Sequence, residues 1–273
     1  MKFYSDIVYL PEAPEMCRLD IWAPEHARAA YLYLHGGGIT HGDKCTERTR
    51  QMFEALASEG IAVFSANYRF LPVTDHDSAP RRTPVDSKEN DVDYPVFIED
   101  CAAAFRFMMT EGRKYCSFDK AYIGGSSAGG YITMMLCFDK HFLAAQGYDS
   151  FRDVAGYIPD AGQPTTHFHM LELRGESDLR VMVDETAPFW YLDHRYEGKN
   201  GEPEPADLPR LLFFTAENDM PGRVEQNALF VKTLINFGYP AEKIMFRQMT
   251  GYGHCKYLAD PEYIRTVAEF LKG

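Results

Sequence analysis

Three short glycine-rich stretches in this 273-residue chain carry the residue types that acyl chemistry needs. The central one, Gly125-Ser126-Ser127-Ala128-Gly129, has G-x-S-x-G spacing, with a β-rich run (Ala121–Ile123) before it and a helix-compatible run (Tyr131–Phe138) after it. A sharp strand-to-helix turn forces its central residue into strained backbone geometry, and the flanking glycines let neighbouring chains approach. The Ser127 hydroxyl then stands exposed at a helix start, where the dipole favours a developing negative charge. Ser126 fails the glycine spacing and is not the nucleophile on this template. A glycine-rich turn that merely ends a strand would look the same in isolation, so the rest of the sequence must decide.

Upstream, the apolar run Ala30–Leu34 ends in His35-Gly36-Gly37-Gly38. Three consecutive glycines leave backbone N–H groups bare and able to converge on an oxyanion. A nucleophilic serine also needs a base and an orienting acid, in the chain order Ser, Asp/Glu, His. His254 lies in a loop after the last strand pattern, in Thr250-Gly251-Tyr252-Gly253-His254, where the glycines give it freedom to reach over the sheet edge. The acid should follow the strand before it, Leu211–Thr215, which leads into Ala216-Glu217-Asn218-Asp219. Asp219 is the preferred acid, Glu217 the near competitor and Asp160, after Val154–Ile158, a distant one. His167 and His169 form a His-x-His pair that could ligate a metal on a strand. With no third ligand pattern nearby they read as loop or pocket residues, and no metal site is expected.

Positioning these residues is the task of the alternating apolar runs and helical patterns that fill most of the chain. Ala30–Leu34, Ile61–Ala66, Ala121–Ile123, Val154–Ile158, Leu211–Thr215 and Ile244–Met249 read as strands. Met52–Ala57, Ile98–Met109, Val224–Ile235 and Ile264–Leu271 show helical faces between them. This alternation predicts an α/β protein, with a mainly parallel central sheet and helices on both faces. Ile7–Leu10 and Leu19–Trp22 suggest an antiparallel hairpin at one sheet edge. No linker divides the chain, so a single domain over 1–273 is expected. Two stretches break the rhythm, about 72–94 and 162–209, and read as lid-like insertions. If the second closes over the site, its Phe168, Met170, Leu171, Phe189, Trp190 and Tyr191 leave only a short acyl cavity.

Composition narrows the partners. Lys and Arg number 28 against 40 Asp and Glu, a net charge of −12, which argues against nucleic acid or an anionic membrane surface. Hydrophobic residues at 45% and charged residues at 25% exclude a disordered or membrane-spanning chain. The six cysteines include no Cys-x-x-Cys pair, which removes zinc-ribbon and thioredoxin readings. Free thiols fit a cytoplasmic protein, and the amino-terminal residues lack the apolar region of an export signal.

From about Tyr31 onward the chain resembles the α/β-hydrolase superfamily. The residues that carry the likeness are HGGG at 35–38, Asn67-Tyr68-Arg69, Tyr94-Pro95 leading into Glu99-Asp100-Cys101, and GGSSAGG at 124–130. They are similar to the esterase/lipase branch, which includes hormone-sensitive-lipase-like carboxylesterases and bacterial acetyl and feruloyl esterases. The resemblance implies the α/β-hydrolase fold with a small lid or cap insertion. It further implies a Ser127–His254–Asp219 triad, oxyanion N–H groups from Gly37, Gly38 and Ala128, and no cofactor. Ser126 stands where the lipase-like members typically carry an acid, and the 72–94 stretch is longer than their connection. The expected function is a serine carboxylic-ester hydrolase acting on short-chain or small acyl esters through an acyl-enzyme. An amidase or arylformamidase with the same triad is the alternative, and a non-catalytic ligand receptor on this fold is the rival from another class. The expected partner is a small-molecule ester, and the sequence is also compatible with a homo-oligomer.

Overall fold

The computed structural model describes residues 1–73, 91–192, 196 and 207–273. Eight strands pair into one sheet: Lys2–Val8 (β1), Arg18–Ala23 (β2), Ala29–Leu34 (β3), Ile61–Ala66 (β4), Lys120–Ser126 (β5), Gly156–Asp160 (β6), Arg210–Asn218 (β7) and Ile244–Gly253 (β8). Their order is β1-β2-β4-β3-β5-β6-β7-β8. The hairpin β1–β2 and the β2–β4 pair are antiparallel, and every pairing from β4 through β3 to β8 is parallel. Among the described residues no helix is long and apolar enough to cross a membrane.

The middle strands are apolar throughout because both faces are covered. All six residues of β3 are buried. Tyr31 and Tyr33 pack towards Glu47–Ser58 (α1) and Pro261–Lys272 (α7), while Leu32 and Leu34 face Val96–Met109 (α2) and Ala128–Phe138 (α3). The short His141–Ala144 (α4), Phe168–Leu173 (α5) and Arg223–Asn236 (α6) complete the helices. The helical spacing read from sequence marks the buried faces. Met52, Phe53, Leu56 and Ala57 of α1 are all inside, the large ones contributing roughly 1.5–3 kcal/mol each by burial. The fold is the mainly parallel α/β sheet expected.

Strand ends near the candidate site differ from the expectation, and the reason is physical. β6 begins and ends two residues later than Val154–Ile158, running through Pro159 to pair Ser126 with Asp160. Proline cannot donate to a ladder, which is why it reads as a strand stop. β7 and β8 run past Thr215 and Met249 to Asn218 and Gly253, so Glu217 lies in a strand and His254 follows one directly. The glycines before His254 therefore form β-structure and not a free loop. Here the ladder is irregular: Ala216 pairs with Met249, but Asn218 pairs with Gly253. The extra length bulges out of β8 around Gly251, which adopts a left-handed φ of 80°.

Of the expected insertion over 72–94, residues 74–90 lie outside the described residues. The same holds for 193–195 and 197–206 of the insertion over 162–209. The described part of the second contains α5 and a short 3-10 turn at Pro188–Tyr191.

Candidate active site

β5, the central strand, ends at Ser126, and α3 begins at Ala128. Ser127 between them has φ 57° and ψ −114°, a strained conformation for a side chain other than glycine, costing on the order of 1–3 kcal/mol. Its N–H is held by the Asp160 carbonyl at 2.8 Å. The two flanking glycines are needed for space. A Cβ on Gly129 would lie 2.0 Å from the Leu34 carbonyl oxygen, and one on Gly125 would lie 2.3 Å from the same atom. Only bare backbone lets α3 settle this closely on β3.

The three residues singled out for the triad come together. His254 Nε2 is 2.8 Å from Ser127 Oγ, and His254 Nδ1 is 2.5 Å from Asp219 Oδ1. The Asp219 side chain is fully buried, and that of His254 is 25% exposed at the cavity wall. Burial alone would raise the Asp219 carboxyl. Hydrogen bonds from His254 and from the Ala216 and Met220 N–H groups, both at 2.8 Å, outweigh this and hold it below the ordinary carboxylate range.

The two competing acids are occupied elsewhere. Glu217 Oε2 accepts the Gly251 N–H at 2.7 Å, and so pins the bulge of β8. Asp160 lies at the end of β6, where its carboxylate accepts hydrogen bonds from the Tyr257 and Tyr263 hydroxyls.

The glycine-rich loop after β3 wraps the same cavity. Thr40 and His41 N–H groups close it by donating to the Gly37 carbonyl at 3.0 and 3.1 Å. Gly37 has φ 124°, and a Cβ there would meet the His41 carbonyl oxygen at 1.8 Å. Gly37 and Gly38 line the cavity beside Ser127 and His254. Ala128 opens α3, so its N–H has no acceptor within the helix. His35 is stacked on Tyr68 with centroids 4.5 Å apart, and the Tyr68 hydroxyl donates to the His35 carbonyl at 2.7 Å. Burial pushes the His35 imidazole down to about 4, which keeps it neutral, with Nδ1 donating to the Gly36 carbonyl at 2.6 Å. Arg69 in turn grips buried Asp100 of α2 through Nε and Nη2 at 2.9 and 2.6 Å. Tyr68 thus supports the start of the glycine loop, and the Arg69–Asp100 pair ties the segment that carries it to α2.

The cavity holds about 480 Å³ and is lined also by Thr40, His41, Phe168, His169, Glu172, Met220 and Cys255. Phe168, Glu172 and Met220 border a second cavity of about 380 Å³ as well. Of the six apolar residues expected to close the site, Phe168 alone is among these wall residues. Met170 is buried near Tyr131, Phe189 packs on Phe230 at 4.8 Å, and Trp190 is 53% exposed. His167 caps α5, its Nδ1 accepting the His169 N–H at 3.3 Å, and burial keeps it neutral. His169 donates from Nε2 to the Pro72 carbonyl at 2.8 Å and meets Glu172 through Nδ1 at 3.0 Å. Neither histidine lies in a loop: His167 is the N-cap of α5, and His169, inside that helix, lines the cavity. Sequence reading missed Thr40, His41, Glu172, Met220 and Cys255 as wall residues. The Cys255 Sγ lies 3.7 Å from His254 Nε2, and desolvation pushes its thiol above its ordinary value.

The strand order and the strained central turn are those of an α/β-hydrolase, the class of serine hydrolases built on this sheet. The chain belongs to the prolyl oligopeptidase family, whose model matches residues 48–273. It is also 31% identical over 115 residues to Esterase LipI of Mycobacterium tuberculosis (strain ATCC 25618 / H37Rv). That match covers 41% of this chain and 30% of the relative, so it spans under a third of the relative's length. Thermogutta terrifontis esterase 2 superposes with a TM-score of 0.72 at 18% identity, covering 98% of this chain and 93% of that one. Esterase B from Lactobacillus Rhamnosis (HN001) gives 0.70 at 18% identity, covering 99% of this chain and 84% of the other. At such identities the structural likeness concerns the fold.

Proposed function

We propose that the protein hydrolyses carboxylic esters of small acyl groups through an acyl-enzyme. The observation that carries this reading is the continuous hydrogen-bonded chain Ser127–His254–Asp219, set on a strained elbow beside a glycine loop. Ser127 Oγ attacks the ester carbonyl as His254 Nε2 takes its proton, and Asp219 fixes the imidazole tautomer and stabilises the imidazolium. The N–H groups of Gly37, Gly38 and Ala128 receive the oxyanion. His254 then returns the proton to the leaving alcohol and activates the water that releases the acid. The LipI match and the fold shared with Thermogutta terrifontis esterase 2, which is phosphorylated by paraoxon, support an ester as substrate. Membership of the prolyl oligopeptidase family favours amide cleavage as the second reading. Rates on p-nitrophenyl esters against the matching anilides decide between them, and paraoxon should inactivate the protein by modifying Ser127. No turnover of either substrate type would leave the ligand-receptor reading.

The acyl preference follows from the cavity walls. A long alkyl chain would meet the polar side chains of Thr40, His41, His169 and Glu172 as well as Phe168 and Met220, and against the polar ones a methylene gains less than the usual burial of about 0.8 kcal/mol. kcat/KM should therefore fall from acetyl or butyryl to octanoyl esters. Phe168→Ala should raise the octanoyl-to-acetyl ratio, while Trp190→Ala, at an exposed position, should leave it unchanged. An octanoyl optimum in the wild type would end the small-acyl reading. The proposal takes residues 1–273 as one domain. It includes a cytoplasmic location, which the six free cysteines support, and a small molecule as partner, which the net charge of −12 supports over nucleic acid.

A further inference from the structure

We propose that Asp160 is a positioning residue that locks the turn following His254 onto the elbow that carries Ser127. The inference rests on the triad reading above. Asp160 is 1% exposed at the end of β6, and it is tied to three elements at once. Its carbonyl oxygen accepts the Ser127 N–H at 2.8 Å, which fixes the nucleophile's backbone. Its Oδ1 accepts the hydroxyl of Tyr257, three residues beyond His254 in the same turn. Its Oδ2 accepts the Tyr263 hydroxyl of α7 at 3.1 Å. The two tyrosine rings pack on each other at 5.2 Å, and Tyr263 packs on Phe214 of β7 at 4.6 Å. A displacement of the turn relative to β6 would have to break these contacts together.

A buried carboxylate is an expensive way to tie two hydroxyls. The groups facing it are Tyr31, Tyr33, Tyr257, Tyr263, Asp219 and Cys255, and no cation among the described residues lies within ion-pair distance. Burial pushes the Asp160 carboxyl up to about 7, the two tyrosine hydrogen bonds temper this, and the charge of Asp219 adds to it. When ionised, both carboxylate oxygens accept, and both tyrosines are held. On protonation one oxygen becomes a donor and a poorer acceptor, so one of the two anchors weakens. The ionised form therefore favours the aligned triad, and this advantage disappears as pH falls through about 7.

The test compares wild type, Asp160→Asn and Tyr263→Phe on p-nitrophenyl acetate across pH. Active sites are counted by labelling Ser127 with a fluorophosphonate. Asp160→Asn should lower kcat per labelled site by about 10-fold or more with KM within about 2-fold, the scale on which a misplaced catalytic group costs rate. The acid limb of the wild-type profile should fall with a slope steeper than one proton, and Asp160→Asn should reduce it to one. Tyr263→Phe removes one hydrogen bond to the ionised carboxylate, so the upper ionisation should move to higher pH. Variants with wild-type kcat per site and a wild-type acid limb, altered only in Tm, would make Asp160 merely structural and overturn the proposal. If Asp160→Asn does not fold, an unmoved profile in Tyr263→Phe overturns it alone. A wild type that neither hydrolyses ester nor takes the label would instead sink the proposed function, and this inference with it.

Discussion

Ser127→Ala should abolish ester turnover to within about one part in 10,000 of wild type or lower, since residues that act as a unit lose nearly everything when one is removed. The fold should survive, because alanine fits the same strained turn and, among the described residues, Ser127 Oγ is hydrogen-bonded only at the cavity wall, to His254. Ser126→Ala should behave in the opposite way. Its Oγ meets the buried Tyr33 hydroxyl at 2.8 Å, so the substitution strands that hydroxyl at a cost of about 1–3 kcal/mol while the chemistry continues. Thermal melts beside kcat for the two variants separate these effects. Full turnover in Ser127→Ala with loss in Ser126→Ala would exchange their roles.

Asp219→Asn should reduce kcat by about 100- to 10,000-fold by favouring the wrong tautomer of His254. Glu217→Gln should stay close to wild type, because the amide oxygen can still accept the Gly251 N–H. The pH dependence carries a definite sign. Asp219 is held below its unfolded value, so the stability it contributes is present above the ordinary carboxylate range and is lost as pH falls through its folded value. Melts of wild type and Asp219→Asn should therefore converge in acid and separate towards neutral pH. If Glu217→Gln were the more damaging change, the acid would have to be reassigned.

The site was most legible in the sequence where one segment dictates its own geometry. GGSSAGG and HGGG are local signals: glycines next to a turn state that backbone must approach backbone, and contacts with Leu34 and His41 bear this out. His254 was legible by elimination, and Asp219 because it follows a strong apolar run. The strand ends were less so, since Pro159 reads as a stop and the glycines around 251 read as a loop. Contacts across the fold were not legible. Asp160 meets Tyr257 and Tyr263 at separations of 97 and 103 residues, and no periodicity along the chain signals such a pairing. The cavity wall was only partly legible, because aromatic residues read the same whether they face a pocket, as Phe168 does, or the core, as Phe189 does.

His254, the proposed catalytic base, directly follows an edge strand of the sheet. β8 is the last strand of the sheet order, and Met249 is the one buried residue among its ten, whereas β3 is buried along its whole length. Margins of this kind open at a lower free energy than the core. Warming or dilute denaturant should therefore silence the enzyme while most of the molecule is still folded. Ester turnover should decline several degrees before the near-UV circular dichroism of the interior tyrosines changes, and cooling at that stage should restore it fully. Coincident curves for the two signals would show instead that the margin and the interior melt as one cooperative unit.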